Sequence, residues 1–257
     1  MFFMSYAICI VPVAPIRLRG DHREEMVSQV LFGESLKVNE TDSNGWMHVE
    51  TIADRYKGFC RSNQFVLMQQ PIEERNEYSG DWVEEIRVND QKLMIPFGSN
   101  LSILNADIPG YKFSYNGNIY NAASREISAT SIINIASLFL NTAYLWGGRS
   151  VYGIDCSGFV QAVFKMMSVQ LARDANQQVQ AGEAVGFLQE VVCGDLAFFD
   201  DEQGNIIHVG ILLSSDRIIH SSGIVRIDAI DSEGIINGTT KRRTHRLRVI
   251  KRIIEVV

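Results

Sequence analysis

The stretch Tyr144-Leu145-Trp146-Gly147-Gly148-Arg149-Ser150-Val151-Tyr152-Gly153-Ile154-Asp155-Cys156-Ser157-Gly158-Phe159 sets one cysteine between a glycine-bearing turn and an apolar run. Phe159, Val160, Val163, Phe164, Met166 and Met167 recur at helical spacing, so a helix is predicted over 159–167. A thiol at a helix N-terminus sees the positive end of the macrodipole, which favours the thiolate. The unpaired N–H groups of the first turn can also stabilise an oxyanion. Asp155, Ser157 and the glycines give Cys156 polar, open surroundings, as a cleft nucleophile would have, whereas a structural cysteine is usually packed among apolar side chains. Working upstream, Ile132, Ile133, Ile135, Ala136, Leu138, Phe139 and Leu140 predict another helix over 128–143.

Downstream the pattern turns to strands, expected at 196–199, 206–213, 217–220, 224–227 and 245–254. A helix pair followed by a run of strands is an α+β arrangement. His208 follows Cys156 by 52 residues and His220 follows His208 by 12. Two strands joined at Ser214-Ser215-Asp216 form a hairpin that can set both histidines on one face. A base and an orienting group need that geometry. Each histidine alone reads as an ordinary core residue; with Cys156 they read as a catalytic set. Zinc is the alternative use of Cys156, Cys193, His208 and His220, but the spacings lack the short ligand pairs of structural zinc sites. No metal and no cofactor is therefore expected.

The 257 residues carry 24 Lys and Arg against 30 Asp and Glu, a formal net charge of −6. That balance does not suggest a nucleic-acid partner, which would call for a basic stripe. The one basic run, Lys241 to Arg252, alternates with Leu247 and Val249 and is predicted as an edge or partly solvated strand. Four cysteines spaced this widely form no disulfide framework. No run reaches the roughly 18–20 apolar residues that cross a bilayer. The N-terminal segment from Met1 to Arg17 is apolar, lacks an early basic residue and is broken by Pro12 and Pro15. It reads as an opening strand of a cytoplasmic protein, with an exported or periplasmic precursor as the alternative. Oligomeric state is not readable.

The first half is rich in short strands and turns. Gln29–Phe32, Leu36–Val38, Trp46–Val49 and Arg55–Cys60 are strands, with Asp42-Ser43-Asn44-Gly45 as a turn between two of them. Strands this short suggest a small barrel over 1–70. The polar segment 71–77 separates it from a second β-rich stretch, with strands at 82–88, 92–98 and 101–104, read as another small barrel over 71–123.

Taken in order, YLWGGRSVYGIDCSGF, GDLAFF, HVGI and IIHSSG resemble the NlpC-type bacterial cell-wall cysteine peptidases over residues 125–257. The resemblance implies a papain-like domain over 124–257, with Cys156 as nucleophile, His208 as general base and His220 as the orienting third member. It implies an oxyanion or substrate contact for Tyr144, and a place at the substrate's second subsite for Asp155 and Ser157. Cys193, before Gly194-Asp195, departs from the family's pattern. The first half is similar to two bacterial SH3-like domains, an architecture of γ-D-glutamyl-L-diamino-acid endopeptidases. That likeness implies murein-derived peptides as partners and hydrolysis of the γ-D-Glu–diamino acid bond in L-Ala-γ-D-Glu-diaminopimelate or its lysine counterpart. Glu25 and Tyr56 match the residues that receive the free L-Ala amine. An intact-wall hydrolase and a non-catalytic peptidoglycan-binding module are the alternative functions.

Overall fold

The computed structural model describes residues 5–256, and the chain divides into two compact units. The first holds residues up to Ser124 together with Trp146–Tyr152; the second holds Arg125–Leu145 and Gly153–Val257. Residues 1–4, part of the predicted opening strand, lie outside the described residues. Among the described residues no helix is long and apolar enough to cross a membrane.

In the first unit, β1 (Ser5–Cys9), β2 (Val13–Arg17), β3 (Met26–Leu31), β4 (Ser35–Thr41), β5 (Trp46–Thr51), β6 (Lys57–Arg61) and β7 (Phe65–Met68) form one antiparallel sheet in the order β3-β2-β6-β5-β4-β1-β7. Alternate residues point inward, as the two-residue period of a strand requires. Ala7, Cys9, Ala14, Ile16, Val30, Leu36, Met47, Val49 and Cys60 accordingly meet in a buried core. Next, β8 (Glu77–Ser79) pairs with β12 (Ile119–Asn121), and β9 (Val83–Val88) lies between β10 (Gln91–Pro96) and β11 (Phe113–Tyr115). Ile86, Ile95, Leu101 and Ile103 from this part share a second core with Ile8 of β1 and with Phe32 in the turn after β3. The strand predicted at 101–104 is instead a 3-10 turn, Leu101–Asn105. Asn100 caps it by accepting from Ser102 N, a local bond that competes with strand pairing.

Residues 146–152, part of the quoted stretch, belong to this first unit and include the short strand β13 (Arg149–Ser150). Gly147 adopts φ 76°, and a Cβ there would come within 2.4 Å of the Met26 carbonyl oxygen, so glycine is required.

The second unit opens with α1 (Ala129–Ser137), started by a reciprocal cap between Ser128 and Ser131. It is shorter than the predicted 128–143. The N–H groups of Leu138, Phe139 and Leu140 turn to the carbonyls three residues back, and Asn141 sits at φ 67°, which ends helical winding. After β14 (Gly153–Ile154) comes α2 (Cys156–Lys165), which starts three residues earlier than predicted because Asp155 is its N-cap. A short α3 (Ala175–Gln178) follows.

The rest is a closed barrel. β16 (Leu196–Asp200), β17 (Ile206–Ser214), β18 (Arg217–Ser222), β19 (Ile224–Asp231), β20 (Gly234–Ile236) and β21 (Arg243–Arg252) pair in sequence, and β21 also returns to β16, which closes the ring. β15 (Glu183–Val185) is appended to β21. Of the two readings of 241–252, the edge strand is corrected, since β21 has partners on both sides, whereas the partly solvated strand holds, with Arg243, Arg246 and Arg248 exposed. Its basic residues are held by acidic neighbours, Arg246 by Asp200 at 2.8 Å and Arg252 by Asp195 at 2.8 and 2.9 Å. Ala197, Phe199, Leu212, Ile218, Ile230, Ile235 and Ile250, drawn from all six strands, fill the lumen. Helix α2 packs on β17 and β18.

Candidate active site

Parity along the strands brings the site together. His208 and Gly210 share a face of β17 with Leu212; His220 shares one with Ile218 on β18, and Asp228 with Ile230 on β19. All three polar side chains thus lie on the lumen face, beyond the apolar filling. Ile211 pairs with Ile219, and one step further sets Gly210 against His220. His208 and His220 are therefore diagonal neighbours, two residues out of register. Gly210 makes that approach possible, since a Cβ there would stand 2.8 Å from the His220 Cβ. On the next strand His220 pairs with Arg226, so Asp228 is again one diagonal step away.

The result is a continuous hydrogen-bonded chain. His208 Nε2 lies 2.8 Å from His220 Nδ1, and His220 Nε2 lies 3.1 Å from Asp228 Oδ2. Gly238 N donates to Asp228 Oδ1 at 2.8 Å, Arg226 Nη2 donates to the same oxygen at 3.0 Å, and Arg226 Nε stands 2.9 Å from Oδ2. Burial alone would raise the Asp228 carboxyl, but the bonds from His220, Gly238 and Arg226 outweigh it and hold the group at about 2. His245 of β21 stacks on the His208 ring, with centroids 4.1 Å apart and planes 24° apart. Burial first, then His220 and His245, push His208 well below 6.5.

Cys156 occupies the first position of α2. Asp155 Oδ1 accepts from Gly158 N at 2.7 Å, a cap of a kind that contributes about 1 kcal/mol. The thiol is buried, not the open group predicted from its polar neighbours, and so are His208 and His220. Burial, then the Asp155 charge, raise the thiol to about 11. The backbone N–H groups of Val209 and Ser157 and the Arg173 guanidinium pull the other way. Val209 is the residue after His208, so the thiol lies against the strand that carries the imidazole. Tyr144 is half-buried, and burial followed by the Cys156 and Asp155 charges raises its hydroxyl to about 12. It remains a hydrogen-bond donor at neutral pH.

Asp155 and Ser157 are both engaged by Arg173, which sequence reasoning missed. Arg173 Nη1 donates to Asp155 Oδ1 and Ser157 Oγ, each at 3.0 Å, and Nη2 donates to Asp155 Oδ2 at 2.5 Å. Arg173 is 1% exposed, a burial that arginine tolerates only with paired partners. Asp228 and His245 were missed as well. No motif marks any of the three. An arginine inside the otherwise apolar and polar-neutral run at 169–173 was the only available hint. Of the remaining predicted residues, Glu25 precedes β3, is exposed and accepts from Trp146 Nε1 at 2.5 Å. Tyr56 precedes β6, is half-buried and donates its backbone N–H to Thr51 Oγ1 at 2.8 Å. Both lie in the first unit, whereas Cys156, His208 and His220 lie in the second. Among the described residues no group of three or more His, Cys, Asp or Glu is arranged to hold a metal ion.

A cysteine heading a helix packed on a barrel that carries two linked histidines is the arrangement of a papain-like thiol peptidase. Comparison with known proteins gives that class its family. Residues 141–244 match the NlpC/P60 family and residues 16–65 match the bacterial dipeptidyl-peptidase Sh3 domain, so the chain carries an NlpC/P60 peptidase-family domain preceded by an SH3-like domain. It is 37% identical over 114 residues, 44% of its length, to gamma-D-glutamyl-L-lysine dipeptidyl-peptidase of Bacillus subtilis (strain 168). It is 25% identical over 219 residues, 78% of its length, to the protein of the same name from Bacillus cereus (strain ATCC 10987 / NRS 248). The chain spans 38% and 63% of the lengths of these two relatives. The solved structure of an NlpC/P60 family protein from Bacillus cereus ATCC 10987 superimposes with a TM-score of 0.79 over 97% of this chain and all of the other, at 19% identity. That likeness is one of fold.

Proposed function

We propose that the chain is a cysteine endopeptidase that cuts the γ-D-Glu–diamino acid bond of murein stem peptides bearing a free N-terminal L-Ala. The observation that carries this is the chain His208–His220–Asp228 beside a thiol at the head of α2. The two relatives named for γ-D-glutamyl-L-lysine dipeptidyl-peptidase activity support the choice of bond. At neutral pH both thiol and imidazole rest uncharged, because each is shifted by burial away from ionisation. His208 takes the thiol proton as Sγ attacks the substrate carbonyl carbon. N–H groups at the head of α2, with the Tyr144 hydroxyl, stabilise the oxyanion. The imidazolium then protonates the leaving amine, a thioester forms, and water drawn by the same base releases the acid.

Asp155, Ser157 and Arg173 make a rigid polar wall beside the nucleophile, suited to the second substrate residue. Glu25, oriented by the Trp146 indole, is read as the anion that receives the L-Ala ammonium, with Tyr56 beside the same subsite. The 71–123 region is read as a second SH3-like domain on its short antiparallel strands. The proposed setting is cytoplasmic recycling of peptides already released from the wall.

The experiment is hydrolysis of L-Ala-γ-D-Glu-diaminopimelate and its lysine analogue, with the amine free or acetylated, followed by mass spectrometry. A charge-assisted contact of about 1.5–3 kcal/mol corresponds to roughly a 10- to 100-fold loss of kcat/KM on acetylation. Glu25→Gln should cost a similar factor on the free peptide and little further on the acetylated one. Equal wild-type rates on both peptides would remove the amine gate and point to a hydrolase of intact wall.

A further inference from the structure

We propose that Asp228 is a positioning residue that fixes the tautomers of both histidines, so that His208 presents a bare Nδ1 to the thiol. The proposal rests on the reading above of Cys156 as nucleophile and His208 as its base. An ionised carboxylate can only accept. Two donors converge on Asp228 Oδ1, from Gly238 N at 2.8 Å and Arg226 Nη2 at 3.0 Å, and Arg226 Nε flanks Oδ2, so the group is held as an anion. The proton between Asp228 Oδ2 and His220 Nε2 must therefore sit on His220. A neutral His220 then has a lone pair at Nδ1, and the only bond available across its 2.8 Å contact is donation from His208 Nε2. With its proton at Nε2, neutral His208 is left with a lone pair at Nδ1. One carboxylate thus selects the reactive face of a ring two hydrogen bonds away.

The remaining neighbours do not compete for this order. His245 meets His208 face to face, and its own Nδ1 pairs with Thr244 Oγ1 at 2.9 Å. Phe199 lies at 5.7 Å from the His208 ring and is apolar.

Asp228→Asn reverses the logic at nearly constant volume. Its amide oxygen belongs at the Oδ1 position, where two aligned donors need an acceptor. Flipping the amide would set its NH2 against both of them. The unflipped amide meets only Arg226 Nε, which stands near Oδ2 without an aligned hydrogen bond. The NH2 then faces His220 Nε2, drives the His220 proton to Nδ1 and the His208 proton to Nδ1 as well, and leaves no base for the thiol.

Three readouts test this. In the wild type at neutral pH, nitrogen-15 spectra should show both His208 and His220 protonated at Nε2. In Asp228→Asn both rings should change tautomer, and kcat should fall by roughly 10²- to 10⁴-fold with KM little changed, the scale seen when the carboxylate behind a catalytic histidine becomes an amide. Alkylation of Cys156 by iodoacetamide should slow in parallel. That reaction needs no peptide, so it separates failure of the relay from failure of the substrate assignment. Hydrolysis persisting in Cys156→Ala would instead remove the nucleophile. A wild-type His208 protonated at Nδ1 overturns the proposal without recourse to any variant. A slow Asp228→Asn enzyme with unchanged tautomers also overturns it, since Asp228 would then act only in packing, as does a variant with wild-type kcat and alkylation.

Discussion

The molecule contains two antiparallel β structures with opposite interiors. The sheet β1–β7 is filled throughout by apolar side chains, among them Cys9 and Cys60. The barrel β16–β21 is apolar at one end only; beyond it stand His208, His220, Asp228 and His245. Burial pushes all three thiols up, Cys9 beyond the ordinary range, Cys60 to about 12 and Cys156 to about 11, and at Cys156 two backbone N–H groups and the Arg173 guanidinium act against it. The difference shows what placing chemistry in an interior demands. A buried polar group left unpaired costs about 1–3 kcal/mol. The polar groups at this end and at the head of α2 are accordingly partnered: Asp228 for His220, Gly238 and Arg226 for Asp228, and Arg173 for Asp155.

The comparison breaks most sharply at the thiols. Cys156→Ala should reduce hydrolysis of the tripeptide by at least about 10⁴-fold, the scale set by removing a nucleophile, with the fold retained by circular dichroism. Cys9→Ala and Cys60→Ala should leave kcat near wild type. If either core cysteine proves essential and Cys156 does not, the contrast between the interiors is inverted.

A smaller but still large effect is expected at Arg173. Arg173→Ala leaves the Asp155 carboxylate buried without its counter-charge, a change that typically costs about 3–5 kcal/mol. Urea unfolding should show a lower midpoint at unchanged m, together with weakened activity, because Asp155 caps the helix that carries Cys156. A loss under about 1 kcal/mol would mean that the pair is solvated. By contrast, Cys60→Ala removes only a small apolar group from the first core and should cost about 1–2 kcal/mol.

Proton linkage sharpens the contrast further. His208 is held well below 6.5 and His245 near 4, so the unfolded chain binds more protons than the folded one in that window. Stability contributed by these rings is complete above about pH 6.5 and is lost as the pH falls toward 4. The melting temperature should drop across that interval. The acid limb of kcat/KM should fall below pH 6.5, since His208 must be neutral to act as base and is flanked by His220 and His245. An acid limb at or above 6.5 would mean that His208 is solvated or paired with an anion.

Much of this was legible in the sequence because its causes are local. The apolar run from Phe159 announces a helix just after Cys156, though its start falls three residues earlier, at the Asp155 cap, and Ser214-Ser215-Asp216 between two apolar alternations announces the hairpin that joins His208 to His220. The helix 128–143 was overextended because apolar spacing continues through Leu140, while Asn141 ends the winding by its own backbone conformation. The openness of Cys156 was misjudged because Asp155 and Ser157 look solvated in sequence, whereas Arg173 pairs both inside the fold.

What the chain determined on its own was the position of Cys156 before an apolar helix, the two histidines on one face of a hairpin, and the short-strand character of the first half. Each follows from periods of two or 3.6 residues and from capping within three or four positions. Tertiary structure decided that β21 closes a ring, that Asp228 completes the chain behind His220, that His245 covers His208 and that Trp146–Tyr152 joins the first unit. The physical reason is register. Period-two alternation says which face of a strand a residue occupies, but not which residue stands diagonally across on the next strand. A displacement of two positions keeps every face correct and would still part His208 from His220 and His220 from Asp228.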